Sequence, residues 1–163
     1  MITTDQFFSF PNFVAKMFAD DSKTMLADHA DHYAELYQQI EEAGLTTTNR
    51  YVFTILNMFR DELPIYEVGV PVVEDAANFT DTSVSFRSVF FQKDLLLTRI
   101  TTDFDRQAVL AYTNLKKFAE ESGYQIVTPF FNVMTLRDDG TPWYLDVSCR
   151  AKTQMEHTQK NRF

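Results

Sequence analysis

The sequence predicts an α+β domain of two tandem β-α-β-β repeats with pseudo-two-fold symmetry, an antiparallel sheet, helices on one side of it and a cleft on the other. Three observations carry this. The order strand, helix, strand, strand reads twice along the chain. Each helical stretch ends on a glycine, Gly44 and Gly123, which stand 79 positions apart (123 − 44). Each is followed by a hairpin, with turns at Arg60-Asp61 and Arg137-Asp138 and return-strand tyrosines at Tyr66 and Tyr144.

In repeat one, residues 7–18 are rich in Phe and Val and read as a strand, with Pro11 marking a bulge or an edge. Asp20, Asp21 and Ser22 offer N-caps. Met25, His29, Tyr33, Leu36, Tyr37 and Ile40 then recur at helical spacing along one face. Gly44 stands where a C′ glycine ends a helix. Residues 51–59 form a strand, Arg60-Asp61-Glu62 a turn, and residues 65–72 the return strand. Residues 73–82 link the halves. In repeat two, a strand runs within 84–101, and Asp103 or Asp105 caps a helix whose apolar face is Phe104, Ala108, Ala111, Tyr112, Leu115 and Ala119. Gly123 closes that helix. Residues 124–136 form a strand, 137–140 a turn and 143–149 the return strand. The whole of 1–163 is thus one domain, with repeat one at about 5–73, repeat two at about 83–150 and a basic tail at 151–163.

Composition narrows the function. The 163 residues are 45% apolar and 23% charged, the balance of a chain that buries a core. A net charge of −8 argues against nucleic-acid binding, which needs clustered basic residues. No apolar run is long enough to insert in a membrane, and the opening residues carry no basic leader, so a cytoplasmic location is expected. Cys149 is the only cysteine, which excludes an intrachain disulfide and a multi-cysteine metal site. Asp28-His29, Asp31-His32 and His157 give no third ligand at a recognisable spacing, so neither metal nor cofactor is expected. Cys149 reads as a buried structural thiol.

The aromatic stock points to a binding surface. Phe supplies 16 residues. The pairs Phe7-Phe8, Phe90-Phe91 and Phe130-Phe131 lie in strands, where adjacent residues face opposite sides, so one ring of each pair must leave the helix-covered face. Exposed rings are disfavoured by ~25 cal/mol per Å² of apolar area, so a ligand or a partner is expected to cover them. Alternation in residues 66–72 puts Tyr66, Val68, Val70 and Val72 on the core face and turns Glu67 toward solvent or the groove. In the last strand Asp146 shares a face with Tyr144 and Ser148.

The stretch Tyr66-Glu67-Val68-Gly69-Val70-Pro71-Val72 resembles the E-V-G-V-P-V strand of GyrI-like domains, also called effector-binding or SOUL-type domains. Ala111-Tyr112-Thr113-Asn114-Leu115-Lys116-Lys117-Phe118 resembles the family's A-Y-x-x-L-x-x-W helix, with Phe118 in the Trp place. Gly123-Tyr124 and Thr128-Pro129-Phe130-Phe131-Asn132-Val133-Met134 extend the likeness toward G-P-x-x-E-x-Y. The resemblance implies a cleft between the repeats that takes small, often apolar or cationic molecules, and in some members hydrolyses small electrophiles. This chain departs from it where the cleft Glu and Tyr would stand, at Asn132 and Met134. An Asn neither neutralises a cation nor acts as a general base. The chain also looks like small accessory proteins of type VII secretion toxin loci.

These readings predict a non-catalytic binding protein. The first expectation is an adaptor or chaperone for a protein partner, such as a secreted toxin. The alternative is a sensor for a small apolar ligand, and a hydrolase of small electrophiles ranks third. The binding residues expected are Phe53, Glu67, Phe91, Tyr112, Phe131, Asn132, Met134, Tyr144 and Asp146.

Overall fold

The computed structural model describes residues 1–19, 25–56 and 65–153, apart from the side chains of 25–29. The order is β1 (Ile2–Ala19), α1 (Met25–Glu42), β2 (Arg50–Ile55), β3 (Ile65–Pro71), β4 (Val84–Ile100), α2 (Phe104–Glu121), β5 (Tyr124–Ile126), β6 (Phe131–Leu136) and β7 (Pro142–Thr153). The chain therefore is α+β, with an antiparallel sheet and one helix in each repeat.

Both helices are 18 residues long. Their apolar stripes lie on the sheet: Leu36 and Ile40 from α1, and Ala108, Ala111, Tyr112, Leu115 and Ala119 from α2. Gly44 (φ 74) and Gly123 (φ 72) end them in the left-handed region, with open space around each α-carbon. Backbone conformation rather than crowding selects glycine there. Asp103 stands at the N-cap of α2, but its own φ of 47 leaves its side chain making no cap bond. The caps expected at residues 20–22 and the turn expected at 60–62 lie outside the described residues.

The strand expected at 124–136 is two pieces. Pro129 has no N–H to give a ladder, and Thr128 covers the gap by accepting the Arg150 N–H on its Oγ1 at 2.9 Å. β7 runs on to Thr153 with Ala151 buried, so the first residues assigned to the tail are part of the sheet. Residues 154–163 lie outside the described residues.

The strand order is β4-β1-β3-β2-β6-β7-β5, and β4 also pairs with β7. Leu95 and Leu97 of β4 pair with Gln6 and Thr3 of β1 on one edge, and with Arg150 and Ser148 of β7 on the other. The sheet thus curls into a ring. At the junction of the repeats β2 pairs with β6, and Phe53 stands directly opposite Asn132. These two residues are also 79 apart, so the pseudo-two-fold axis passes between them.

Alternation divides the side chains into two layers. Val14, Phe53, Val68, Val70, Met134, Leu145, Val147 and Cys149 face the helices and form the main core. Phe10, Phe13, Ala15, Val52 and Val133 face the other way and form a second cluster with Phe8 and Phe90. That second face is the concave one, because its rings meet across the ring of strands. Phe8 of β1 and Phe90 of β4 lie 5.5 and 6.0 Å from Phe131 of β6, although neither strand neighbours β6. Asn12, at φ 55, sits within β1 between Phe10 and Phe13. Its left-handed turn lets two rings three residues apart share the inner face.

Candidate functional site

The two halves of the concave face are furnished differently. In the first, Gly69 of β3 leaves space that Phe13 occupies: a β-carbon at Gly69 would sit 2.0 Å from the tip of that ring. Phe13 packs on Phe90 at 4.6 Å and on Phe10 at 6.3 Å. Arg87 of β4 lies over both Phe13 and Phe90 and donates two hydrogen bonds to Glu67, of 3.2 and 2.5 Å. Rings and an ion pair therefore fill the first half.

The second half stays open, as a cleft of about 320 Å³. Its walls are residues 7–10 of β1, Leu97 and Arg99 of β4, and Tyr144 and Asp146 of β7, with Arg50, Val133, Thr135 and Ser148 completing it. Strand register fixes the layout. Arg50 pairs with Thr135, and Thr135 with Tyr144, at one end. Ser148 pairs with Phe131 and Leu97 at the other. Four residues of β6 separate the levels of Thr135 and Phe131, or ~13 Å at the usual strand rise.

Three polar features set its electrostatics. Arg99 donates from Nε to Asp146 Oδ1 at 2.7 Å and from Nη2 to Oδ2 at 2.8 Å, and its guanidinium lies 3.8 Å from the Tyr144 ring centre. These bonds to Asp146 hold the Arg99 pKa above its ordinary value. Arg50 lies 5.9 Å from the Phe10 ring and has no ion pair among the described residues. Thr135 Oγ1 and Ser148 Oγ are buried and have no hydrogen-bond partner among the described residues. A buried hydroxyl left unpaired costs ~1–3 kcal/mol, so two on one cleft floor mark a place where something else supplies the bond. An outer groove of about 800 Å³, beside Tyr33, Tyr37 and Arg137, is larger but contains no such orphaned group.

The residues expected to bind separate into three places. Tyr144 and Asp146 line the cleft; Phe131 borders it, and Glu67 lies on the same concave face but is held by Arg87 in the filled half. Phe53, Tyr112, Asn132 and Met134 lie instead in the helix layer, because alternation gives the inner face to their neighbours Val52, Phe131, Val133 and Thr135. Asn132 there accepts the Tyr112 hydroxyl at 2.7 Å and donates to the Phe53 carbonyl at 3.2 Å. It is a structural node and not a cleft residue. Phe91 points outward, 48% exposed, beside Phe7; its neighbour Phe90 is the ring that turns inward.

Arg50, Arg99 and Thr135 were not foreseen, and Ser148 was placed on the face of Tyr144 and Asp146 but not among the binding residues. Once Met134 and Cys149 are assigned to the core, alternation places Thr135 and Ser148 opposite them, so part of the signal was available. Cys149 is fully buried under the helices, and burial pushes its thiol up to about 12. His32 stacks on Phe18 at 4.1 Å at the core edge. Among the described residues no three His, Cys, Asp or Glu side chains converge as metal ligands. No described helix is long and apolar enough to cross a membrane.

Fold and cleft define a two-repeat α+β module whose curled sheet encloses a small polar-lined cavity. The chain belongs to the family described as Domain of unknown function (DUF5085), whose model matches residues 9–153. No curated protein matches it. Among solved structures, the EcmrR C-terminal domain is similar at 15% identity and a TM-score of 0.63, over 94% of this chain and 99% of that one. The EcmrR chain in a cryo-EM DNA complex is similar at 15% identity and a TM-score of 0.62, over 93% of this chain. This chain spans 58% of that one. SAV2435, solved bound to tetraphenylphosphonium, is similar at 11% identity and a TM-score of 0.54, over 96% of this chain and 95% of that one. At these identities the likeness is one of fold, and that fold is the one the GyrI-like resemblance implied.

Proposed function

We propose that this chain is a non-catalytic binding module that takes a small, largely apolar molecule into the cleft of its second repeat. The carrying observation is the pair of buried, unpartnered hydroxyls, Thr135 and Ser148, on the floor of a cavity of about 320 Å³. That volume lies in the range of small-molecule sites. One solved structure of the same fold supports the reading, SAV2435 with tetraphenylphosphonium bound. Among the described residues neither candidate nucleophile near the cleft is activated: Ser148 Oγ has no partner and Cys149 faces the helices.

Calorimetric titration with 4-phenylbutyramide and its carboxylate and ammonium analogues tests this. At least one should bind, and Leu97→Trp, which fills the cleft from a half-buried wall, should abolish that binding while leaving the melting temperature within a few degrees. Binding that survives Leu97→Trp, or no binding at all, overturns the reading.

An adaptor for a protein partner, including a toxin of a type VII secretion locus, would use a different surface. Phe7 (69% exposed), Val89 (53%) and Phe91 (48%) form an apolar patch on the outer side of the β1–β4 pair. Glutamate substitution at Val89 and Phe91, neither of which lines the cleft, should leave cleft binding intact, and would abolish a client's binding only if this second reading holds.

A further inference from the structure

We infer that the cleft selects molecules whose polar end is a carboxylate or a similar anion and that it rejects organic cations. This rests on the reading of the cleft as a small-molecule site and adds the charge of what it takes.

Among the described residues Asp146 is the one acidic side chain lining the cleft, and both of its oxygens accept from Arg99. Its side chain is 16% exposed, and Tyr144 stacks against the arginine that holds it. On the filled half of the same face Glu67 is engaged just as fully, with both oxygens on Arg87. A cation entering the cleft loses hydration and needs a free carboxylate in exchange. It would have to displace a bidentate, ring-stacked guanidinium to obtain one.

The cations are arranged the other way. Arg50 and Arg99 stand against Asp146, so the lining is net positive within a chain of net charge −8. Arg50 has no ion pair among the described residues and is the register neighbour of Thr135, whose buried hydroxyl lacks a partner. A planar guanidinium beside a hydroxyl donor suits the two oxygens of a carboxylate. From that end the cleft continues along Phe10, Leu97 and Phe8 toward Ser148, a path for an apolar body with a ring.

The same three compounds test this: 4-phenylbutyrate, 4-phenylbutyramide and 4-phenylbutylammonium, titrated at low ionic strength and neutral pH. The carboxylate should bind roughly tenfold more tightly than the ammonium, as expected for partly exposed charge pairs that attract one probe and repel the other. Arg50→Gln, at an exposed position, should reduce the carboxylate's advantage over the ammonium to about twofold. If binding is lost in Leu97→Trp but the ammonium binds as tightly as the carboxylate, or Arg50→Gln leaves the carboxylate's advantage undiminished, the anion preference is wrong and the cleft reading stands. If none of the three binds, both fall together.

Discussion

Gly69 and Ser148 occupy the same place in the two repeats, and only the first has a ring folded over it. Each faces inward on the return strand of its hairpin, Gly69 opposite Val52 and Ser148 opposite Phe131. Phe13 lies across Gly69, while the space beside Ser148 stays open. The missing side chain at Gly69 is what makes room for the Phe13 ring that plugs the first half of the concave face.

The asymmetry gives opposite responses at the two positions. Gly69→Ala drives a methyl into the Phe13 ring, which is nearly fully buried and cannot yield, and should cost ~3 kcal/mol in urea unfolding. Ser148→Ala removes a buried hydroxyl that has no hydrogen-bond partner among the described residues and should leave stability unchanged or slightly raised. A neutral Gly69→Ala would show that Phe13 does not sit where it is described.

The Tyr112–Asn132 bond joins α2 to the pseudo-two-fold axis. Tyr112→Phe should cost ~1–2 kcal/mol, since it strands the Asn132 oxygen in the core. Asn132→Leu should cost more, because it strands the tyrosine hydroxyl and takes a donor from the Phe53 carbonyl. The double variant should cost less than the two changes added, by at least ~0.5 kcal/mol. Strict additivity in a double-mutant cycle would mean that the bond contributes nothing to stability.

Cys149 should be chemically silent in the folded protein. Thiolate is the reactive form, and burial both hides this thiol and pushes it up to about 12. Ellman's reagent should label it only after denaturation, with one equivalent appearing as the chain unfolds. Full labelling of the native protein within minutes would contradict its place under the helices.

The Asp81 cluster should shape acid stability. Asp81 accepts from Ser83, Gln39 and Lys16, tying the inter-repeat loop to α1 and β1, and these bonds lower its pKa well below the usual carboxylate range. Its folded value lies below its unfolded one, so the unfolded chain binds the proton first. The stabilisation is present above the unfolded pKa of ~3.9 and is lost as pH falls from there through the lower folded value. Urea midpoints between pH 6 and pH 2 should fall less steeply in Asp81→Asn than in the parent. Parallel curves would show that the cluster does not couple to protonation.

Much of the architecture was legible because its signals are local. Helix spacing, C′ glycines and alternation in residues 66–72 are short-range patterns, and each placed its element. Alternation also turned Glu67 and Asp146 to the concave face. The family pattern placed Asn132 and Met134 in the cleft, whereas parity along their strands turns them and Phe53 to the helix layer, and of the pair Phe90-Phe91 it is Phe90 that turns inward. The cleft itself depends on long-range facts that no single strand shows. Arg99 reaches Asp146 only because β4 pairs with β7. Phe13 meets Gly69 only because Asn12 turns the first strand.

The double pairing of β4 has a further consequence for how the protein comes apart. Were the sheet open, either repeat could fray while the other held. With β4 joined to β1 and β7 at once, releasing one half breaks the hydrogen-bond ladder of both. Loss of structure should therefore be a single cooperative event, with one unfolding transition shared by both repeats.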